Sequence, residues 1–241
     1  LGMKPVVVHG GGPEITAMLK KVGKQSEFIS GLRVTDEETV EVAEMVLVGK
    51  LNSQIVSLFN QHGAKAVGLT GKDADLIVAE KHLAKVHENG EIKEVDIGFV
   101  GDVASVNTQL IHDLLDKGYI PVIAPIGVGR NYESYNINAD SVAGEVAGAL
   151  AAEKLLLLTD VEGIYRDFND KSSFISTLTF EEAQALIVDK VIDGGMIPKV
   201  EACVRALKGG AKKAHIIDGR QQHSLLLEGF TSGGRCREVG R

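Results

Sequence analysis

The chain has 241 residues, 44% of them hydrophobic, enough to build one large α/β core or two halves without disulfide or metal staples. Its 33 acidic and 26 basic residues give a formal charge of −7, and it has no tryptophan and only 5% aromatics, which argues against binders of nucleic acid or anionic membranes. Cys203 and Cys236 form neither a disulfide framework nor a metal knuckle, no signal-peptide pattern opens at Leu1, and the apolar runs read as too short to span a bilayer, so a reducing cytoplasmic setting is expected.

Leu1-Gly2-Met3-Lys4-Pro5 runs directly into Val6-Val7-Val8, a buried-strand pattern, so the chain is expected to begin inside a domain. Gly10-Gly11-Gly12 leads into a helix over 13–22, with Pro13 in the first turn, where its missing N–H costs nothing. Thr35 and Glu38 have capping-box spacing at the head of a long helix over 36–61, in which Val42, Met45, Val46, Ile55, Val56 and Phe59 recur. A short strand over 66–69 ends in Thr70-Gly71-Lys72-Asp73. Residues 76–103 read as a flap of short antiparallel strands, 76–80 and 95–103, broken by His87-Glu88-Asn89-Gly90. A helix over 108–117 precedes a strand over 120–124, where Pro121 suits a strand start better than its centre.

The second half opens at Tyr135-Asn136-Ile137-Asn138-Ala139-Asp140. Its helix over 142–150 is rich in alanine and glycine, which predicts close packing against another element. A central strand over 154–158 ends in Thr159-Asp160. Thr179 and Glu182 form a second capping box before a helix over 180–189, and a helix over 198–208, a strand over 214–217 and a short helix near 222–227 follow. Strands alternating with helices predict an α/β fold with a largely parallel sheet.

Several constellations carry chemistry. Gly10-Gly11-Gly12 at a strand-to-helix junction can turn backbone amides toward an anion, or serve as a turn. His9 beside it reads as a satisfied turn histidine rather than a general base. Arg33 can grip a carboxylate with its planar fork, or lie exposed. Asn136 and Asn138 alternate if extended, so only one of them can face a ligand, and the alternative for the segment is an Asx-turn and helix cap. Asp140 is placed to anchor a lysine. Thr159-Asp160-Val161-Glu162-Gly163 stands at the carboxyl end of a strand, where open α/β sheets bind ligands, and Ile164 and Tyr165 could wall an adenine. Lys199, after Gly194-Gly195-Met196-Ile197-Pro198, can meet phosphate charge or sit on the surface. The sequence has no Gly-x-Gly-x-x-Gly fingerprint at the first loop, no P-loop, no nucleophile elbow and no metal-ligand spacing.

Taken together, Val8-His9-Gly10-Gly11-Gly12, Gly31-Leu32-Arg33-Val34-Thr35, Val48-Gly49-Lys50-Leu51-Asn52, Gly68-Leu69-Thr70-Gly71-Lys72-Asp73, Gly98-Phe99-Val100-Gly101, Asn136-Ile137-Asn138-Ala139-Asp140, the run 158–165 and Gly194-Gly195-Met196-Ile197-Pro198-Lys199 closely resemble the N-acetylglutamate kinase family of the amino-acid kinase superfamily. The resemblance covers about residues 4–228. It implies a three-layer α/β/α sandwich in one kinase domain, with an N-acetylglutamate-binding and dimerisation lobe over about 1–134 and an ATP-binding lobe over about 135–241. It also implies ATP-dependent phosphorylation of the N-acetyl-L-glutamate side chain, with Mg²⁺ carried mainly by the nucleotide phosphates and no protein metal site. On the family pattern Gly11, Gly12, Arg33 and Asn136 bind the substrate. Asp160, Val161, Glu162, Gly163, Ile164, Tyr165, Val191, Ile192 and Asp193 line the ATP site, while Lys199 and Asp140 are catalytic. A homodimer or trimer of dimers is expected, with arginine as an inhibitor.

The family's first strand, ending Lys-x-Gly-Gly, has no counterpart before Val6 and is expected to lie upstream of residue 1. Its closing Gly-x-Gly-Thr strand is likewise replaced by the run 233–241. Two rival readings stand beside the kinase: an acetylaminoadipate kinase, and a non-catalytic arginine-sensing domain.

Overall fold

A computed structural model of the chain describes residues 2–88, 91–160, 165, 166, 170, 173, 175, 177–192, 194–226 and 237–240. The chain forms two units, Leu1–Val142 and Ala143–Arg241. In the first, Val7–Val8 (β1), Ala66–Thr70 (β4) and Ile120–Ala124 (β7) make a parallel sheet in the order β1-β7-β4. Pro121 is the second residue of β7, at the strand's start as expected, although β7 is the middle strand of its sheet. The structure tolerates it because β1 pairs with β7 only from Val122 onward, so no ladder bond to β1 is lost.

Helix α1 (Gly12–Lys21) lays Ile15 and Leu19 against Val42, Ala43, Val46 and Leu47. The latter belong to the long helix, which is not uniform. It consists of α2 (Glu37–Glu44), a π-helical stretch Met45–Asn52 and α3 (Ser53–Gln61). By length and composition alone the run Glu37–Gln61 could cross a membrane, contrary to the sequence expectation. Its Val42, Ala43, Val46 and Leu47, however, lie buried in the hydrophobic cluster with α1 and β7.

The helix starts one residue later than the capping box predicts. Thr35 is fully buried and locked in a bridge with Gly98: its N–H donates to the Ile97 carbonyl and its own carbonyl accepts from Phe99 N–H. Asp36 caps instead, accepting from the Thr39 N–H at 2.9 Å, while the Lys24 ammonium reaches both carboxylate oxygens at 2.6 and 2.7 Å. The Lys24 and Thr39 contacts hold the Asp36 carboxyl at a pKa of about 2. A depressed carboxyl stabilises the fold above its unfolded value, near 4, and that contribution is lost as pH falls through about 2. Asp36→Ala is expected to cost about 1 kcal/mol of cap energy. Asp36→Asn keeps the cap but loses the charge, so its melting temperature should lie below wild type at neutral pH and converge on it between pH about 4 and about 2. A gap that is constant with pH would contradict this account.

Residues 76–106 extend further than a short flap. Ile77–Glu88 (β5) and Glu91–Val106 (β6) form a long antiparallel hairpin, which closes into a four-stranded barrel with Ile126–Val128 (β8) and Ser134–Ile137 (β9). Phe28–Ile29 (β2) and Leu32–Arg33 (β3) pair antiparallel through Ser30 and Gly31, both at positive φ, as a two-residue hairpin turn requires. Gln109–Asp116 (α4) packs beside β7.

Helix α5 (Ala139–Ala149) begins in the first unit and continues into the second. Within the second, Gly144 and Gly148 meet α7 (Met196–Gly209) backbone to backbone. A Cβ on Gly144 would stand 2.6 Å from the Ala202 carbonyl oxygen, which realises the close packing expected of the alanine- and glycine-rich helix. Leu155–Thr159 (β10), Thr177–Thr179 (β11), Ala214–Asp218 (β12) and Arg237–Gly240 (β13) form a sheet in the order β10-β12-β13-β11. Its β12–β13 pairing is antiparallel, so the sheets of this α/β fold are mixed. The terminal run thus does supply a strand at β13. The Thr179–Glu182 capping box heads α6 (Phe180–Val188) as predicted.

Candidate active site

The first unit gathers the glycine loop, Arg33 and the start of α5. Gly10 stands beside Ala139, whose Cβ is 3.7 Å from where a Gly10 Cβ would be. Asp140, the next residue, is the acid of the first turn of α5. Asn138 caps that helix, its Oδ1 accepting from Ser141 N–H at 3.1 Å, which leaves Asn136 as the asparagine on β9, half-buried and paired with Ile126 and Val100.

Arg33 is buried, so the exposed alternative fails. Its guanidinium donates to the Gly12 carbonyl at 3.0 Å, to Thr16 Oγ1 at 2.8 Å and to Ser26 Oγ at 2.5 Å, and it stacks 4.7 Å from the centre of the Phe28 ring. Burial lowers its pKa, yet an arginine stays charged at neutral pH. The β2–β3 hairpin makes Phe28 and Arg33 direct cross-strand partners. Sequence reasoning missed Thr16, Ser26 and Phe28. The Ser30-Gly31 pair, a plausible two-residue turn, was the signal that could have found the hairpin.

The three glycines differ in what surrounds them. A Cβ at Gly11 would be 2.3 Å from Leu51 Cδ1 and 2.7 Å from Leu47 Cδ2, on the π-helical stretch. At Gly12 a Cβ would meet nothing within 4 Å. Gly12 opens α1, and the amides of a helix start face outward with a positive potential.

His9 is 8% exposed, and Asn52 is 4% exposed. The Asn52 amide nitrogen reaches the Val122 carbonyl at 2.9 Å and His9 Nε2 at 3.2 Å, while His9 Nδ1 lies 3.0 Å from the Gly10 carbonyl oxygen. Burial pushes the His9 pKa down, opposed by its bond to Gly10. His9 is a satisfied buried histidine, as the sequence suggested.

In the second unit Asp160 is exposed on the bend directly after β10. Tyr165 is half-buried. Val191 packs against the core, and Ile192, 2% exposed, lies within it, leaving its backbone rather than its side chain for a ligand. Lys199 is half-buried in the first turn of α7, which carries no acidic residue. Val161, Glu162, Gly163, Ile164 and Asp193 lie outside the described residues. Among the described residues no three of His, Cys, Asp and Glu gather into a metal-holding group.

Residues 1–218 match the sequence model of the amino acid kinase family. The chain is 59% identical over 234 residues to the acetylglutamate kinase of Moorella thermoacetica, covering 97% of this chain and 79% of that one. It is 60% identical over 235 residues to that of Heliobacterium modesticaldum, covering 97% and 80%. A crystal structure of N-acetylglutamate synthase from Neisseria gonorrhoeae, complexed with coenzyme A and N-acetyl-glutamate, superposes with a TM-score of 0.81 at 25% identity, over 100% of this chain and 52% of that one. The chain therefore belongs to the amino acid kinase family, in its acetylglutamate kinase branch.

Proposed function

We propose that the chain transfers the γ-phosphoryl group of ATP to the side-chain carboxylate of N-acetyl-L-glutamate, giving N-acetyl-L-glutamyl 5-phosphate, the activated acid of arginine synthesis, in the cytoplasm. The observation that carries this reading is the 59% identity to an acetylglutamate kinase over 97% of the chain. A carboxylate oxygen bonds to the γ-phosphorus as the bond to the β-phosphate oxygen breaks and ADP leaves. The nucleophile is already ionised at neutral pH, so no general base is needed. The barrier is the repulsion between two anions, and positioned positive charge and amide dipoles offset it.

Each unit has groups suited to one part of that task. In the first, the Gly11 and Gly12 amides at the start of α1 receive anionic oxygen, Arg33 and Asn136 hold the acylated amino acid, and Asp140 orients lysine charge. In the second, Asp160 to Tyr165 and Val191 to Asp193 line the nucleotide, and Lys199 stabilises the phosphoryl group in flight. Mg²⁺ is assigned to the nucleotide's phosphate oxygens, where it neutralises charge when bound. The assembly is proposed to be a homodimer or a trimer of dimers, with arginine as inhibitor.

The test follows ADP release while hydroxylamine traps the acyl phosphate. ADP and hydroxamate should form one to one with N-acetyl-L-glutamate. One methylene is worth about 10- to 200-fold in discrimination, so a higher kcat/KM for N-acetyl-aminoadipate would replace the substrate. No ADP with either would favour a sensing domain, the second reading that the likeness to the synthase supports.

A further inference from the structure

We infer that His9, held in one tautomer by Asn52, is a positioning residue that fixes the Gly10–Gly11 peptide of the glycine loop for phosphoryl transfer, an inference that rests on the kinase reading above. The hydrogen-bond inventory forces the tautomer. A carbonyl oxygen only accepts, so the Asn52 atom 2.9 Å from the Val122 oxygen is the amide nitrogen, with one hydrogen directed there. Its second hydrogen serves His9 Nε2 at 3.2 Å, which must then be bare. The ring proton is left on Nδ1, 3.0 Å from the Gly10 carbonyl oxygen, again an acceptor only. Each contact agrees with the other two, and a protonated ring would set Nε2–H against the Asn52 NH₂.

The consequence reaches the loop through peptide geometry. The described chain has no cis peptide, and across a trans peptide the C=O and the following N–H point in opposite directions. Holding the Gly10 carbonyl on His9 therefore fixes the Gly11 N–H on the opposite side. An amide that meets developing charge contributes most when its direction is set before the reaction. Glycine, with little intrinsic preference for either orientation, needs such an external hold.

Asn52 is fixed in turn. It sits at the end of the π-helical stretch, and a Cβ on Gly68 would be 2.0 Å from its Oδ1, so the glycine on β4 makes room for the amide. Residues 9, 52, 68 and 122 thereby join the segment just after β1, the long helix, β4 and β7 around one imidazole.

Two isosteres separate positioning from packing. Asparagine places an amide nitrogen where Nδ1 stands, and glutamine places its terminal amide where Nε2 stands. His9→Gln should lower kcat for N-acetyl-L-glutamate about tenfold or more with KM for ATP nearly unchanged, and His9→Asn should recover most of that loss. Thermal melts of both accompany the kinetics. Equal kcat for the two at similar melting temperatures would overturn the inference. The independent measurement is the ¹⁵N spectrum of the histidines in the full wild-type chain: His9 should be protonated at Nδ1, and Asn52→Ala should mix the tautomers. Protonation at Nε2 in wild type would overturn the relay without any variant. A wild-type chain that gives no turnover would instead sink the substrate reading, and the same spectrum would still decide the relay.

Discussion

Replacing Lys199 with methionine is expected to lower kcat by about 10²- to 10³-fold, the range for losing one preorganised charge-stabilising group. Its place in the helix makes the case. Lys199 lies in the first turn of α7, at the positive end of the helix dipole. A cation there works against that dipole by about 0.3–1 kcal/mol. The same position adds its ammonium to the amide potential, which suits a phosphoryl group that gains charge on its oxygens in transfer. Lys199→Met should therefore collapse turnover in a chain that still melts cooperatively, and Lys199→Arg should restore part of the rate. Lys208→Met, in the last turn of the same helix, removes a cation from the favourable end and should keep wild-type kcat. Wild-type turnover in Lys199→Met would remove the lysine from the mechanism.

Local signals were legible where local energetics decide. Both Thr35-x-x-Glu38 and Thr179-x-x-Glu182 have capping-box spacing, and only the second is realised. Thr35 is taken by a bridge to Gly98, 63 residues away, which no local pattern reports. The π-helical stretch Met45–Asn52 was hidden because a small change of winding over eight residues barely disturbs apolar spacing. The reach of β5 and β6 was lost because charged residues such as Lys81, Lys85 and Glu94 point outward from an extended hairpin and read as loop. At the site, guanidinium chemistry and the resemblance together singled out Arg33 as a candidate carboxylate binder. Its partners Thr16, Ser26 and Phe28 follow from a hairpin with two-residue strands, too short for periodicity to register. The His9–Asn52 contact depends on the pairing of β1 with β7, so only the tertiary fold exposes it.

Gly12→Ala should yield a folded protein with KM for N-acetyl-L-glutamate raised about 10- to 100-fold, because one methyl group in a tight ligand contact is worth that much. The usual structural reasons for glycine are absent at this position. Its φ lies outside the left-handed region, and an added Cβ would touch nothing within 4 Å. Alanine at the first residue of α1 should even help the helix, so the melting temperature is expected to hold or rise. The space a methyl would fill adjoins the Gly12 carbonyl that Arg33 holds at 3.0 Å, the proposed seat of the acylated amino acid. Gly11→Ala provides the contrast. Its methyl would run into Leu51 and Leu47, an overpacking that costs about 1–3 kcal/mol, and the melting temperature should fall. Adjacent glycines of one loop thus separate by observable: Gly11 by stability, Gly12 by substrate affinity. A Gly12→Ala enzyme with wild-type KM would show that the open face of Gly12 is not where the substrate approaches, and the loop's role would then rest on Gly11 alone.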